Sequence, residues 1–312
     1  MEVNNKNYSE NHDLVVVGAG PAGLAAGLYA ARDKQDVVLV EKLSPGGQVL
    51  TTDWVENYPG FPEGVSGFEL MDRIRKQAEH FGLKILSHEV KGIDLKDGMK
   101  HLLLASGSMK ARSVIVATGA QPRKLGIDGE ELLTGKGVSY CGTCDGPFYR
   151  DANIAVIGGG DTAVQEAIFL TRFAAKVYVI HRRDELRATK IIQERAFANE
   201  KIEFVWDTVP LSIEGGTGVE SLRIRNVKSG EESSLDLEGV FVLVGTRPVT
   251  EFLKGSVDLD DQGFVKVDRR QETSAPGVFA AGDVTSETPR QIATAVGEGV
   301  TAVLSAEEYL EK

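Results

Sequence analysis

Two strand–glycine-turn–helix patterns, one set inside the other, predict an α/β protein of two Rossmann-like dinucleotide-binding domains. The first pattern is the apolar run Asp13–Val17, the turn Gly18-Ala19-Gly20-Pro21-Ala22-Gly23, the helix-like Leu24–Arg32 and the β-like Val37–Val40. The second is Asn153–Ile157, then Gly158-Gly159-Gly160-Asp161-Thr162-Ala163, a helix to about Phe173 and the strand Lys176–Ile180. Their opening glycines lie 158 − 18 = 140 residues apart, which marks a repeated fold unit and not a short-period solenoid. After the second pattern the chain resumes with strands at Gly239–Val244 and Gly277–Ala281 and a helix from about Gln291 to Leu310. The second domain therefore reads as an insertion into the first. Chain crossings fall near Gly119–Pro122 and Gly245–Pro248, where Gly and Pro suit a change of direction. The expected organisation is a flexible N-terminal tail over 1–12, a first domain over 13–119 and 245–312, and an inserted domain over 120–244.

A length of 312 residues is ordinary for two domains, and 42% hydrophobic against 26% charged residues is the balance of a chain with a sizeable core. The formal net charge of −11 argues against general nucleic-acid binding, which needs a basic face. No stretch approaches the roughly 20 apolar residues of a membrane span. Met1–His12 is polar and lacks the apolar centre of a secretory signal, so a cytoplasmic location is expected.

In the first turn, Gly18 permits a tight bend, Gly20 admits a pyrophosphate to the backbone and Gly23 allows close helix packing. The following helix offers free N–H groups and its positive dipole end to phosphate. Glu41 closes the second strand, where a carboxylate can accept from adenosine ribose hydroxyls. The inserted motif, Gly158-x-Gly160-x-x-Ala163, has no acid at that place. Its second strand runs into His181-Arg182-Arg183, with Arg187 and Lys190 behind. Arginines there pair with a 2′-phosphate that an acid would repel, so this domain suits NADP(H). The alternative is a solvated charged loop. Gly282-Asp283 follows an apolar strand, and Asp283 can take a hydrogen bond from the ribityl hydroxyls of a flavin. The helix from about Gln291 would aim its N-terminus at the flavin ring.

The two cysteines form one motif, Cys141-Gly142-Thr143-Cys144. Zinc would need two further ligands, and the histidines are scattered. A thioredoxin-like domain would carry its pair after a strand in a domain of its own. A redox-active dithiol beside a flavin is the reading we adopt. Asp145 abuts the pair and either protonates a leaving thiolate or caps the turn.

Cys-x-x-Cys-Asp-Gly, Gly-Gly-Gly-Asp-Thr-Ala, His-Arg-Arg, Ala-Gly-Asp-Val and Arg290-Gln291, in this order from Asp13 onward, resemble the low-molecular-weight thioredoxin reductases. The resemblance implies an NADPH-dependent thioredoxin-disulfide reductase with FAD in the outer domain, NADPH in the inserted domain, and a homodimer. It extends the FAD contacts to Ala19, Pro21, Ala22, Lys42, Gly46, Gly47, Gln48, Asn57, Val90, Thr118, Gly119 and Ile292. It extends the NADPH contacts to Asp161, Thr162 and Gly245. It assigns Cys144 to the flavin and Cys141 to attack on a thioredoxin or thioredoxin-like disulfide. Nicotinamide and dithiol then share one domain and must reach one flavin in turn, so the resemblance also implies rotation about the two crossings. Ferredoxin–NADP reductases share the two turns but lack the dithiol. The flavin subunit of alkyl hydroperoxide reductases adds an N-terminal thioredoxin-like region. A redox sensor using the pair as a switch would not need an NADPH site.

Overall fold

The computed structural model describes residues 8–52, 54–105, 107–286 and 289–312. The backbone packs into two compact units: residues up to Gln121 together with Arg247–Lys312, and the intervening Pro122–Thr246.

The chain opens with β1 (Tyr8–Val17), α1 (Pro21–Arg32) and β2 (Val37–Glu41). Leu14 and Val16 enter one core, Val15 and Val17 another. A run of uninterrupted apolar residues is thereby buried on both faces, as an interior parallel strand requires. After α2 (Gly67–His80), capped by the Ser66 hydroxyl accepting from the Glu69 N–H at 3.1 Å, come β3 (Lys84–Ser87), β4 (Val90–Lys96), β5 (Met99–Leu104), β6 (Gly107–Val116) and β7 (Ala120–Pro122).

The intervening unit holds β8 (Val138–Ser139), the single turn α3 (Gly142–Asp145), β9 (Asn153–Ile157), α4 (Asp161–Leu170), β10 (Lys176–Ile180), α5 (Lys190–Phe197) and β11 (Ile202–Val205). Then follow β12 (Thr208–Glu214), β13 (Ser221–Asn226), β14 (Glu232–Asp236) and β15 (Gly239–Val242). The chain returns through β16 (Thr246–Pro248), which pairs with β7, and ends in β17 (Val278–Ala280) and α6 (Ile292–Leu310).

In the first unit the sheet runs β3-β2-β1-β6-β5-β4, with β17 also on β6. In the second it runs β11-β10-β9-β15-β8, parallel throughout. In each, the strand that precedes a glycine turn has its next strand on one side and a later strand on the other. That is the switch point at which an α/β sheet opens a crevice at its strand ends.

The reading of 1–12 as a loose tail is corrected for Tyr8–His12. These residues extend β1 in parallel register with Gly107–Ala111 of β6. A ten-residue β6 offers a full edge, and pairing satisfies backbone groups whatever the polarity of the side chains. Residues 1–7 of that tail lie outside the described residues. The antiparallel sheet β12-β13-β14 was not expected, and α4 ends at Leu170, short of Phe173.

Candidate active site

In the first unit, Gly20 precedes α1 with no side-chain cap, and the first turn of α1 holds no acid. A Cβ on Gly20 would meet nothing within 4 Å, so the N–H groups there face open space. A Cβ on Gly23 would lie 1.8 Å from the Gly18 carbonyl oxygen, which is why only glycine closes this turn. The Glu41 carboxylate braces the site from β2, accepting from the Ala19 N–H at 2.8 Å and the Leu43 N–H at 2.9 Å. Each oxygen keeps a lone pair for a hydroxyl. Gly46 donates to the Ala19 carbonyl at 2.7 Å, and a Cβ on Gly47 would be 3.1 Å from Gly20 Cα, so this loop lies on the same turn.

Gly282 packs on Ala22, and its N–H donates to Glu298 of α6 at 2.7 Å. Burial pushes the neighbouring Asp283 carboxyl up to about 6, the charge of Arg290 opposing and that of Glu298 adding to it. Asn57 donates to the Gln291 side-chain oxygen at 3.1 Å, where Gln291 precedes the uncapped start of α6 and its first residue, Ile292. Thr118 donates to the Val249 carbonyl at 2.7 Å, and Gly119 accepts from Val249. Val90 packs against the core that holds Val38 and Val40 of β2. Lys42 and Gln48 are exposed, and Pro21 opens α1.

The second unit repeats the turn with different chemistry. Gly160 precedes α4 without a side-chain cap, and a Cβ there would again meet nothing within 4 Å. The Asp161 carboxylate in the first turn accepts from the Thr189 N–H at 2.8 Å; Thr162 is exposed and Ala163 is buried against Gly158. His181 is buried with its ring against Gly159: a Cβ on Gly159 would lie 2.3 Å from that ring. The imidazole is held below its ordinary pKa by burial first and then by Arg187, Arg183 and Arg182. The Gly159 carbonyl accepts from the Arg187 N–H at 2.8 Å, which fastens the arginine loop to the glycine turn. Arg182, Arg183 and Arg187 are exposed and make no ion pair among the described residues. Gly245 has φ +112° and accepts from the Arg123 N–H at 2.9 Å.

The cysteines are joined as a disulfide, Cα to Cα 5.3 Å, across α3. Cys141 Sγ accepts from the Cys144 N–H at 3.2 Å. The loop around them is held by groups that motif reading missed. Ser139 Oγ donates to Asp145 Oδ2 at 2.6 Å and accepts from the Cys141 N–H at 3.1 Å. Tyr140 donates to Glu130 at 3.0 Å, and Glu130, 1% exposed, also accepts the Leu125 and Gly126 N–H groups. Burial and then Glu130 push the Tyr140 phenol up to about 12. The Gly142 N–H donates to Glu166 of α4, a carboxyl that burial raises. Among the described residues no cluster of His, Cys, Asp and Glu could hold a metal, and no helix is long and apolar enough to cross a membrane.

Two α/β units with open glycine turns, one carrying a two-cysteine disulfide, define a pyridine nucleotide-dependent disulfide oxidoreductase. The family model for pyridine nucleotide-disulphide oxidoreductases matches residues 12–299. The thioredoxin reductase of Mycolicibacterium smegmatis is 50% identical over 300 residues, covering 96% of each chain. A bifunctional thioredoxin reductase/thioredoxin of Mycobacterium leprae is 47% identical over 96% of this chain and 66% of its own. The crystal structure of thioredoxin reductase from Streptococcus pyogenes superposes with a TM-score of 0.92 at 46% identity, covering 96% of this chain and 98% of that one. The chain belongs to this oxidoreductase family, and within it to the thioredoxin reductases. It is an FAD- and NADPH-dependent enzyme, and the open donors at Gly20 and Gly160 fit the two pyrophosphates.

The raised Asp283 gives a pH signature in the FAD-free protein. Its carboxyl is about 6 folded against 3.8 unfolded, so folding favours the protonated form. That contribution is full below about pH 4 and lost as pH rises through about 6. Thermal melts of FAD-free wild type and Asp283→Asn should therefore diverge between these limits, the wild type losing stability relative to the variant as pH rises. Parallel curves would mean that Asp283 is not buried as described.

Proposed function

We propose that the chain carries two electrons from NADPH through FAD to the Cys141–Cys144 disulfide and on to the disulfide of thioredoxin or a similar small redox protein. The observation that carries this reading is the disulfide itself, bonded within the nucleotide unit whose second strand ends in His181-Arg182-Arg183. The unit built on Gly18–Gly23, Glu41 and Asp283 is the FAD domain, and the intervening unit is the NADPH domain. The relative that joins a thioredoxin reductase to a thioredoxin in one chain supports thioredoxin as acceptor. The family resemblance supports a homodimer, and a dithiol that must be kept reduced suits the cytoplasm.

Bound FAD supplies the conversion of a hydride into the electron pair that a disulfide accepts. The residues of this chain do the rest. Arg182, Arg183 and Arg187 take the 2′-phosphate, and the Gly160 turn takes the pyrophosphate. Two electrons break the Cys141–Cys144 bond, and with two protons from solvent leave a dithiol. Cys141, as thiolate, attacks one sulfur of the acceptor disulfide and forms a mixed disulfide; the other acceptor sulfur leaves with a proton from Asp145. Cys144 then attacks Cys141 Sγ, which restores the enzyme disulfide and releases the second acceptor thiolate.

Replacing Arg182 and Arg183 by Gln should raise the KM for NADPH about tenfold to a hundredfold for each guanidinium–phosphate pair removed, with little change for NADH. Steady-state assays with both coenzymes decide it; an unmodified enzyme that prefers NADH would overturn the assignment. Cys141→Ser and Cys144→Ser should each abolish thioredoxin reduction while NADPH still bleaches the FAD absorbance. Full thioredoxin reduction by either variant would refute the dithiol route.

A further inference from the structure

We infer that Ser139 is a positioning residue for the acid of thiol exchange: its hydroxyl keeps the Asp145 carboxyl in one place through both of that acid's protonation states. The inference rests on the proposed role of Asp145.

Ser139 ends β8, two residues before Cys141, and is 4% exposed. Its oxygen has three polar neighbours: Asp145 Oδ2 at 2.6 Å, the Cys141 N–H at 3.1 Å and the Cys141 carbonyl at 3.3 Å. A hydroxyl has one proton to give and two lone pairs. The Cys141 N–H always occupies one lone pair. When Asp145 is ionised, the Ser139 proton goes to the carboxylate. When Asp145 is protonated, the acid donates to the second lone pair and the Ser139 proton turns to the Cys141 carbonyl. Both states are fully hydrogen-bonded, and no heavy atom has to move between them.

This arrangement matters because Asp145 changes state within each exchange. The acid gives its proton to the departing thiolate and recovers one from solvent before the next cycle. The other titratable groups of this loop and of the elements packed on it are Tyr149, Tyr140, Glu166 and the two cysteines. Tyr149 is raised to about 12 by burial and then by the charge of Asp145. Glu166 faces the Gly142 N–H from α4, and Tyr140 is spent on Glu130. Ser139 also ties the acid to the Cys141 backbone, so the proton donor and the attacking sulfur share one anchor.

The test uses FAD-loaded enzyme, reduced by two electrons, mixed rapidly with either of two acceptors over a range of pH. Oxidised thioredoxin releases an alkyl thiolate that needs a proton. The aromatic disulfide 5,5′-dithiobis(2-nitrobenzoate) releases a stable thiolate that does not. Ser139→Ala should slow exchange with thioredoxin about tenfold. The limb on which that rate falls as the acid ionises should move up by about one pH unit, the size of one lost charge-assisted hydrogen bond. Exchange with the aromatic disulfide should be unchanged, and Ser139→Thr should restore the thioredoxin rate. Equal slowing with both acceptors would show a merely structural role and overturn the inference. So would an unshifted limb in Ser139→Ala when Asp145→Asn abolishes it. If Asp145→Asn itself treats the two acceptors alike, the acid role of Asp145 fails and the inference falls with it, an outcome distinct from failure of Ser139 alone.

Discussion

A loop whose covalent cross-link is broken and remade in every turnover cannot depend on that cross-link for its shape. The segment from Val138 to Tyr149 meets this constraint with hydrogen bonds that do not involve the disulfide. Glu130 receives Tyr140 and two backbone N–H groups, Glu166 receives Gly142, and Ser139 joins Cys141 to Asp145. A carboxylate buried as deeply as Glu130 would be costly alone; with three donors it becomes a rigid post. Tyr149 closes the segment by packing edge-on against Phe241 at 5.1 Å, in the core of the same unit.

The same helix begins at a glycine turn and braces the disulfide loop. The open N-terminus of α4 lies at Gly160, and one face further along carries Glu166 to the loop between the cysteines. The two units share one plan and differ in charge at the end of the second strand. At the end of the second strand, the first unit has Glu41 bound to its own glycine turn. The second has buried His181 and three exposed arginines, fastened to the turn through Gly159. A carboxylate suits a ribose hydroxyl, and guanidinium groups suit a phosphate.

Features encoded over short stretches were legible in the sequence. The turns at Gly18–Gly23 and Gly158–Ala163, the pair Cys141 and Cys144, and the strand before Gly282-Asp283 each show themselves within about ten residues. Groups that act across the chain were not legible. Glu166 is 24 residues from Gly142, and in the sequence it reads as one more polar residue on an amphipathic helix. Glu130 and Ser139 look like surface residues near a turn, yet both are buried. Gly159 was passed over as the variable place in its motif, although the His181 ring leaves no room for a side chain there. The β12-β13-β14 sheet carries a readable alternation in β12 (Val209, Leu211, Ile213) and β13 (Leu222, Ile224), and only the mostly polar β14 lacks one. Tyr8–His12 read as a polar stretch in the sequence, whereas their backbone pairs in register with Gly107–Ala111 of β6.

The central claim is that the dithiol loop keeps its shape without its disulfide. Amide hydrogen exchange, followed residue by residue in the FAD-loaded enzyme before and after reduction with dithiothreitol, tests it most directly. The Leu125, Gly126, Cys141 and Gly142 amides, which donate to Glu130, Ser139 and Glu166, should keep their protection to within a few-fold when the disulfide is opened. Loss of protection at these amides on reduction would show that the disulfide itself holds the loop, and would contradict the account.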